Sequence, residues 1–239
     1  MLPSPPIEPA PTGWNLARSL SLRSTTGDLI AVGADLEPGT ILAAYRSGIF
    51  PMGLDEAPGM GWWSPVRRGI LPPGALRVSR SLRKSARRYR ITVDRDFRAV
   101  LDGCARSGRG GDWISAEIAA AYVRLHTLGW VHSVEVWDAA GELVGGLYGV
   151  SIGALFAGES MFHRATDASK VALVGLLDVL GPSGDHLLDV QWQTRHLASL
   201  GVVEISRSDY LARLPAALAG RRPDWAGAGR RDWVAGSPE

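Results

Sequence analysis

The sequence predicts an α+β protein built around one mixed sheet, and three observations carry that expectation. Apolar residues recur at helical spacing up to about residue 128, then at a spacing of two from His132. Two strand-like runs, His132–Trp137 and Leu143–Val150, meet across the turn Asp138–Gly141, and a third, Ala154–Phe156, follows at once. Helices and strands then alternate: helix 167–180, strand Leu187–Val190, helix 193–200, strand Val202–Ser206, and a helix from Ser208. That order is compatible with an acetyltransferase-like mixed-sheet domain over residues 79–219, preceded by a smaller N-terminal α/β domain over 27–78.

The remaining elements follow in chain order. Residues 1–26, opening MLPSPPIEPAPTG, read as a flexible lead, and the Gly-, Arg- and Pro-rich residues 220–239 as a loose tail. Pro38 precedes a helix over Thr40–Ser47, which Gly48 ends. Phe50-Pro51 and Trp62-Trp63-Ser64-Pro65 are extended, aromatic-rich segments. Ser79 or Ser81 caps a helix reaching about Arg88, on which Arg80, Arg83, Lys84, Arg87 and Arg88 share one face. Residues 95–104 and 115–128 are helical, the second striped by Ile118, Ala121, Tyr122 and Leu125. The third strand is expected to end at Gly158, which puts Glu159 and Ser160 at its tip. Asp189 and Gln191, two apart on a strand, are expected to share a face.

Composition narrows the function. The chain has 239 residues, 46% hydrophobic and 21% charged, enough for one large core or a main domain with a smaller one. No apolar run is long enough to span a bilayer, and the N-terminus has no basic n-region or apolar h-region, so a cytoplasmic protein is expected. The single cysteine, Cys104, excludes an intrachain disulfide or a thiolate metal cluster, and no metal is expected. The net charge of +2 hides an asymmetry: residues 67–90 hold nine of the 26 basic residues and no acid, leaving 17 basic against 24 acidic elsewhere. Such segregation suits a polyanionic partner docked at one place.

The motifs Gly33-Ala34-Asp35-Leu36, Ala44 to Pro51, Trp62-Trp63-Ser64-Pro65, Trp113-Ile114, His132 to Trp137, Leu143 to Gly149, Gly158 to Phe162, Ala168-Ser169-Lys170 and Leu188 to Gln191 occur in order. With them, roughly residues 27–214 resemble the bacterial leucyl/phenylalanyl-tRNA–protein transferases. The resemblance implies transfer of leucine or phenylalanine, and less readily methionine, from aminoacyl-tRNA to the N-terminal Arg or Lys of proteins, which marks them for N-end rule degradation. It implies no metal and no cofactor, coenzyme A included.

The ester of aminoacyl-tRNA is already activated, so the reaction is aminolysis through a tetrahedral intermediate. It asks for alignment, proton removal and oxyanion stabilisation rather than a covalent nucleophile. The resemblance implies that Asp189 binds the incoming α-amine, that Gln191 positions it, and that Glu159 lies near the α-amino group of the donor. It places Leu147, Phe156, Leu176 and Leu188 around the donor side chain, with Met52, where the family usually has Trp, at a wall of the donor or adenosine site. Tyr45, Trp113 and Tyr122 are expected to stack on or border the 3′-adenosine, and the cations from Arg80 to Arg88 to hold acceptor-stem phosphates. A coenzyme A acetyltransferase is the second enzyme reading, but His163-Arg164-Ala165-Thr166 stands where a Gly-rich pyrophosphate loop would be needed. A non-catalytic RNA-binding module is the third.

Overall fold

A computed structural model of the chain describes residues 2–22, 27–54, 59–106, 114–181 and 184–229. Seven strands form the main sheet in the order β10(Val203–Ser206), β4(Arg67–Leu71), β9(Leu187–Gln191), β8(Leu155–His163), β7(Leu143–Ile152), β6(Val131–Trp137) and β5(Arg90–Val93). All neighbours run antiparallel except β8 and β9, which are parallel. A parallel pair needs a crossover, and helix α6(Ala168–Leu180) supplies it. Three strands, β1(Leu29–Val32), β3(Met60–Trp63) and β2(Phe50–Gly53), make a small second sheet.

Every residue of β7 is buried, so both faces of the sheet are covered. On one face α6 and α3(Arg80–Ala86) close a core with Val134, Val136, Leu147, Phe156, Leu173, Leu176 and Leu188. On the other, α4(Phe97–Ala105) and α5(Ala116–Thr127) pack with α2(Pro38–Arg46) and the small sheet. Local chemistry sets the helix starts: Ser79 accepts from Leu82 N, Ser115 from Ile118 N, and Thr194 from Leu197 N at the head of α7(Arg195–Leu200). Ser206 does the same for α8(Arg207–Ala219). No helix among the described residues is long and apolar enough to cross a membrane.

The structure departs from expectation at both ends and at three strands. The lead is not loose: residues 16–22 form α1(Leu16–Leu22), Ile7 N–H donates to Leu128 O (2.9 Å), Trp130 Nε1–H donates to Ile7 O (2.8 Å), and Glu8 pairs with Arg46. Its prolines have little backbone freedom to lose on docking. Residues 220–229 of the tail are also held, because α9(Trp225–Ala228) buries Trp225, which stacks on His132 at 4.2 Å and donates to Ser151 Oγ at 2.9 Å. β4 lies within the 27–78 stretch yet hydrogen-bonds into the main sheet, and β5 stands between the basic helix and α4. The helix α3 ends at Ala86, with Arg87 at its C-cap.

The departure at β8 matters most. β8 does not stop at Gly158 but runs on to His163, and its register against β7 slips on the way. Tyr148 faces Ser160 and Gly149 faces Gly158, so Glu159 is the extra residue of a β-bulge. A Cβ on Gly149 would lie 2.3 Å from Ala157 O and 2.5 Å from the Phe156 ring. Gly149→Ala should therefore cost about 2 kcal/mol or more, read from urea unfolding midpoints, whereas alanine at the open turn glycine Gly141, despite its positive φ, should cost less than that.

Candidate active site

The two central strands pair in parallel only as far as Ala157 opposite Asp189. Beyond that point each is bulged: Glu159 is the extra residue of β8 against β7, and Val190 that of β9 against β4, where Ile70 faces Asp189 and Gly69 faces Gln191. Paired strands that both bulge outward leave a crevice past their carboxyl ends, a common ligand position in sheets with parallel strands. A cavity of about 140 Å³ opens there, lined on its apolar walls by Leu71, Leu147, Phe156, Leu173, Leu176 and Leu188, with Glu159, Ser160 and Gln191 as its polar groups. The four side chains expected around a donor, Leu147, Phe156, Leu176 and Leu188, all line this one cavity.

Glu159 is the ionisable group of that cavity. Its Oε2 accepts from Tyr122 OH at 2.9 Å, and its Oε1 from Gln191 Nε2 at 3.3 Å. Tyr122 OH in turn lies 2.7 Å from Tyr45 OH. Burial pushes the Glu159 carboxyl up to about 7 against the opposing pull of the Tyr45 and Tyr122 hydroxyls; Asp189 adds to the rise and Arg68 works against it. Burial, then the charge of Glu159, raises both tyrosines well above the ordinary phenol value, so they stay neutral donors.

Asp189 sits elsewhere than expected. It is fully buried and does not line the cavity. Its Oδ1 accepts from Arg68 Nε (2.8 Å) and from the backbone N–H of Gln191 (2.9 Å). Its Oδ2 accepts from Arg68 Nη2 (2.5 Å) and from Tyr210 OH (2.9 Å). Four donors leave no lone pair for an incoming amine. Nor does Asp189 share a face with Gln191: Gln191 has φ 58, a left-handed backbone that breaks the alternation and delivers its side chain to the cavity. Asp189 thus meets Gln191 through its backbone N–H, from outside the cavity lining.

Other expected residues divide. Tyr45 and Tyr122 are buried, with their hydroxyls turned to Glu159, so they are not open stacking faces. Met52 does not line that cavity; it borders a larger cleft of about 1190 Å³ together with Gly33, Leu36, Met60, Ile118 and Arg124. It lies on the small sheet, paired with Gly61. Trp113 lies outside the described residues. Arg80, Arg83, Lys84, Arg87 and Arg88 are all exposed, and α3 packs on α6, the helix that walls the cavity. The basic segment is less free than its composition suggests, because Arg67 pairs with Glu204 (2.8 Å) and Arg68 with Asp189.

Arg68 and Tyr210 are the residues that sequence reasoning missed. Arg68 was hidden among neighbouring arginines; the one signal was its place beside Gly69-Ile70-Leu71, a run fit for a buried strand. Tyr210 gives no sequence signal, since it reaches Asp189 from α8. Among the described residues no three His, Cys, Asp or Glu side chains are grouped to hold a metal ion.

Residues 70–215 match the family model described as leucyl/phenylalanyl-tRNA protein transferase, and residues 34–66 match that of its N-terminal domain. The chain is similar to the leucyl/phenylalanyl-tRNA–protein transferase of Anaeromyxobacter dehalogenans, with 51% identity over 195 residues, 80% of this chain and 83% of the relative. That of Ruegeria pomeroyi is 51% identical over 188 residues, covering 77% and 88%, and that of Dechloromonas aromatica 48% identical over 206 residues, covering 84% and 87%.

The Glu159 carboxyl has a linkage consequence. A carboxyl that titrates near 7 in the folded chain and near 4.5 when unfolded binds more protons folded between those values. Stability from this group is present below about pH 4.5 and is lost as pH rises toward 7. Urea unfolding at a series of pH values should show this fall, and Glu159→Gln should remove its contribution.

Proposed function

The chain belongs to the leucyl/phenylalanyl-tRNA protein transferase family, and on that premise we propose that it moves leucine or phenylalanine from aminoacyl-tRNA to proteins bearing an N-terminal Arg or Lys. Methionine is a poorer donor, and the products are marked for N-end rule degradation in the cytoplasm. The observation that carries the reading is the cavity between the splayed strands. It is apolar enough for one aliphatic or aromatic side chain and has a carboxylate and an amide at its polar end. A pocket that distinguishes methylenes gains only about 1–3 kcal/mol for each, so tolerance among Leu, Phe and Met is expected.

The roles follow from the hydrogen bonds. Glu159, charged once the donor's α-ammonium is beside it, holds that ammonium and so fixes the ester carbonyl. Gln191 gives its Nε2–H to Glu159, which turns its Oε1 outward as an acceptor for an N–H of the incoming amine. The amine nitrogen then attacks the ester carbon. As the tetrahedral intermediate collapses the carbon–oxygen ester bond breaks, and the 3′-oxygen of the ribose leaves with the proton shed by the amine, relayed by the tRNA's own ribose hydroxyl. No covalent enzyme intermediate is required. The larger cleft bordered by Met52 suits the terminal adenosine, and the exposed cations of α3 suit acceptor-stem phosphates.

Radiolabelled Phe-tRNA incubated with a peptide starting in Arg or Lys should label the peptide without coenzyme A. Binding of the tRNA without transfer would leave only an RNA-binding module. Glu159→Gln should lower transfer by two orders of magnitude or so, about 3 kcal/mol, in line with loss of a buried charge-assisted contact. Replacing Arg83 and Lys84 together by Ala should weaken all donor tRNAs alike and flatten the plot of log affinity against log salt by about 1.5 to 2.

A further inference from the structure

Gln191 reaches the cavity only because its backbone is left-handed, and glutamine does not adopt that conformation freely. Something must hold it. Its backbone N–H donates to Asp189 Oδ1, 2.9 Å away. That carboxylate is itself gripped by Arg68 through both oxygens, and Tyr210 OH donates to the oxygen that does not face Gln191. The Arg68 guanidinium lies 4.3 Å from the centre of the Tyr210 ring and 4.9 Å from that of Phe50. It also donates to Gly48 O at 3.1 Å, and Gly48 lies two residues past the end of the helix that carries Tyr45. On the far side, Gly69 lets β4 approach the chain just after Gln191: a Cβ there would lie 3.0 Å from Gln193 N.

We propose that Tyr210 and Arg68 are positioning residues for aminoacyl transfer: they clamp the Asp189 carboxylate so that it holds Gln191 in its left-handed conformation, with the side chain on Glu159. This rests on the transferase reading above. Tyr210 comes from α8 and does not line the donor cavity. Its hydroxyl acts on the reaction through two intervening residues. Without it, Asp189 loses one of four donors and turns, the Gln191 N–H loses its acceptor, and the residue relaxes to extended backbone. Its amide then leaves Glu159. The apolar walls are untouched, so donor binding persists while the attacking amine loses its guide.

Two readouts separate this role from a merely structural one. In Tyr210→Phe, kcat for Phe-tRNA and an Arg-peptide should fall about tenfold or more, while KM for Phe-tRNA stays within about twofold. The acid limb of the kcat–pH profile should also move to higher pH, because Glu159, without the Gln191 amide as a donor, holds its proton more tightly. The groups facing Glu159 are otherwise the same: Tyr45 from α2, Tyr122 from α5, Tyr148 from β7, Asp189 from β9 and Arg68 from β4. Rates are referred to the fraction of protein that binds a 3′-aminoacyl-adenosine analogue, so a partly unfolded variant still reports. Arg68→Lys, which keeps the charge but loses the two-pronged grip, should behave likewise. Unchanged kcat and pH limb in Tyr210→Phe overturn the proposal, as does a rise in KM alone. No transfer by the unaltered protein would instead overturn the transferase reading.

Discussion

The guanidinium of Arg68 and the carboxylate of Asp189 meet in a dry interior, at the last residue pair that joins β8 to β9 in parallel. A buried ion pair of this kind tolerates little displacement: removing one partner strands a charge and costs about 3–5 kcal/mol. Burial alone would weaken the charge on Arg68; Asp189, with the nearby tyrosines, more than restores it, and the guanidinium is held protonated. The pair therefore works as a fixed point. From it the chain can leave regular geometry on both strands at once, bulging at Glu159 and Val190, and still place Gln191 against Glu159.

The same fixed point joins the two sheets. Arg68 lies on β4 of the large sheet, contacts Gly48 at the end of α2 and packs against Phe50 of β2. Tyr45 on α2 and Tyr122 on α5 then approach Glu159 from the other side. The carboxylate at the cavity mouth is thus held by helices that belong to one core and the amide by a strand that borders another. Neither half of the site is complete without the other. This explains why β4, which lies in the stretch that reads as a small separate domain, is woven into the main sheet between β9 and β10.

Much of the framework was legible in the sequence, because it rests on periodicity. The change from helical spacing to alternation at His132 marks β6 and β7, and the apolar positions 147, 156, 176 and 188 converge on one cavity because strand and helix faces obey their repeats. What could not be read depends on exceptions to those repeats. Alternation assigns Asp189 and Gln191 to one face; a bulge and a positive φ part them. A glycine before Glu159 looks like a strand end; it is one side of a bulge. Tyr45 and Tyr122 are recognisable as site residues, but whether a tyrosine offers its ring or its hydroxyl depends on packing from α2 against α5. The Pro-rich lead has the composition of a disordered segment, yet hydrogen bonds to Leu128 and Trp130 fasten it. Arg68 and Tyr210 act through space on residues far away in sequence.

The central proposal is a division of labour: Glu159 holds the donor's α-ammonium and Gln191 guides the incoming amine, while Asp189 stays with Arg68 behind them. A crystal structure with a non-hydrolysable 3′-phenylalanylamino-adenosine tests it most directly. The account predicts the phenyl ring among Leu147, Phe156, Leu176 and Leu188, the α-ammonium on Glu159, and Asp189 still bonded to Arg68, Tyr210 and the Gln191 N–H. An Asp189 carboxylate turned out of that clamp and bonded to the ligand would contradict it.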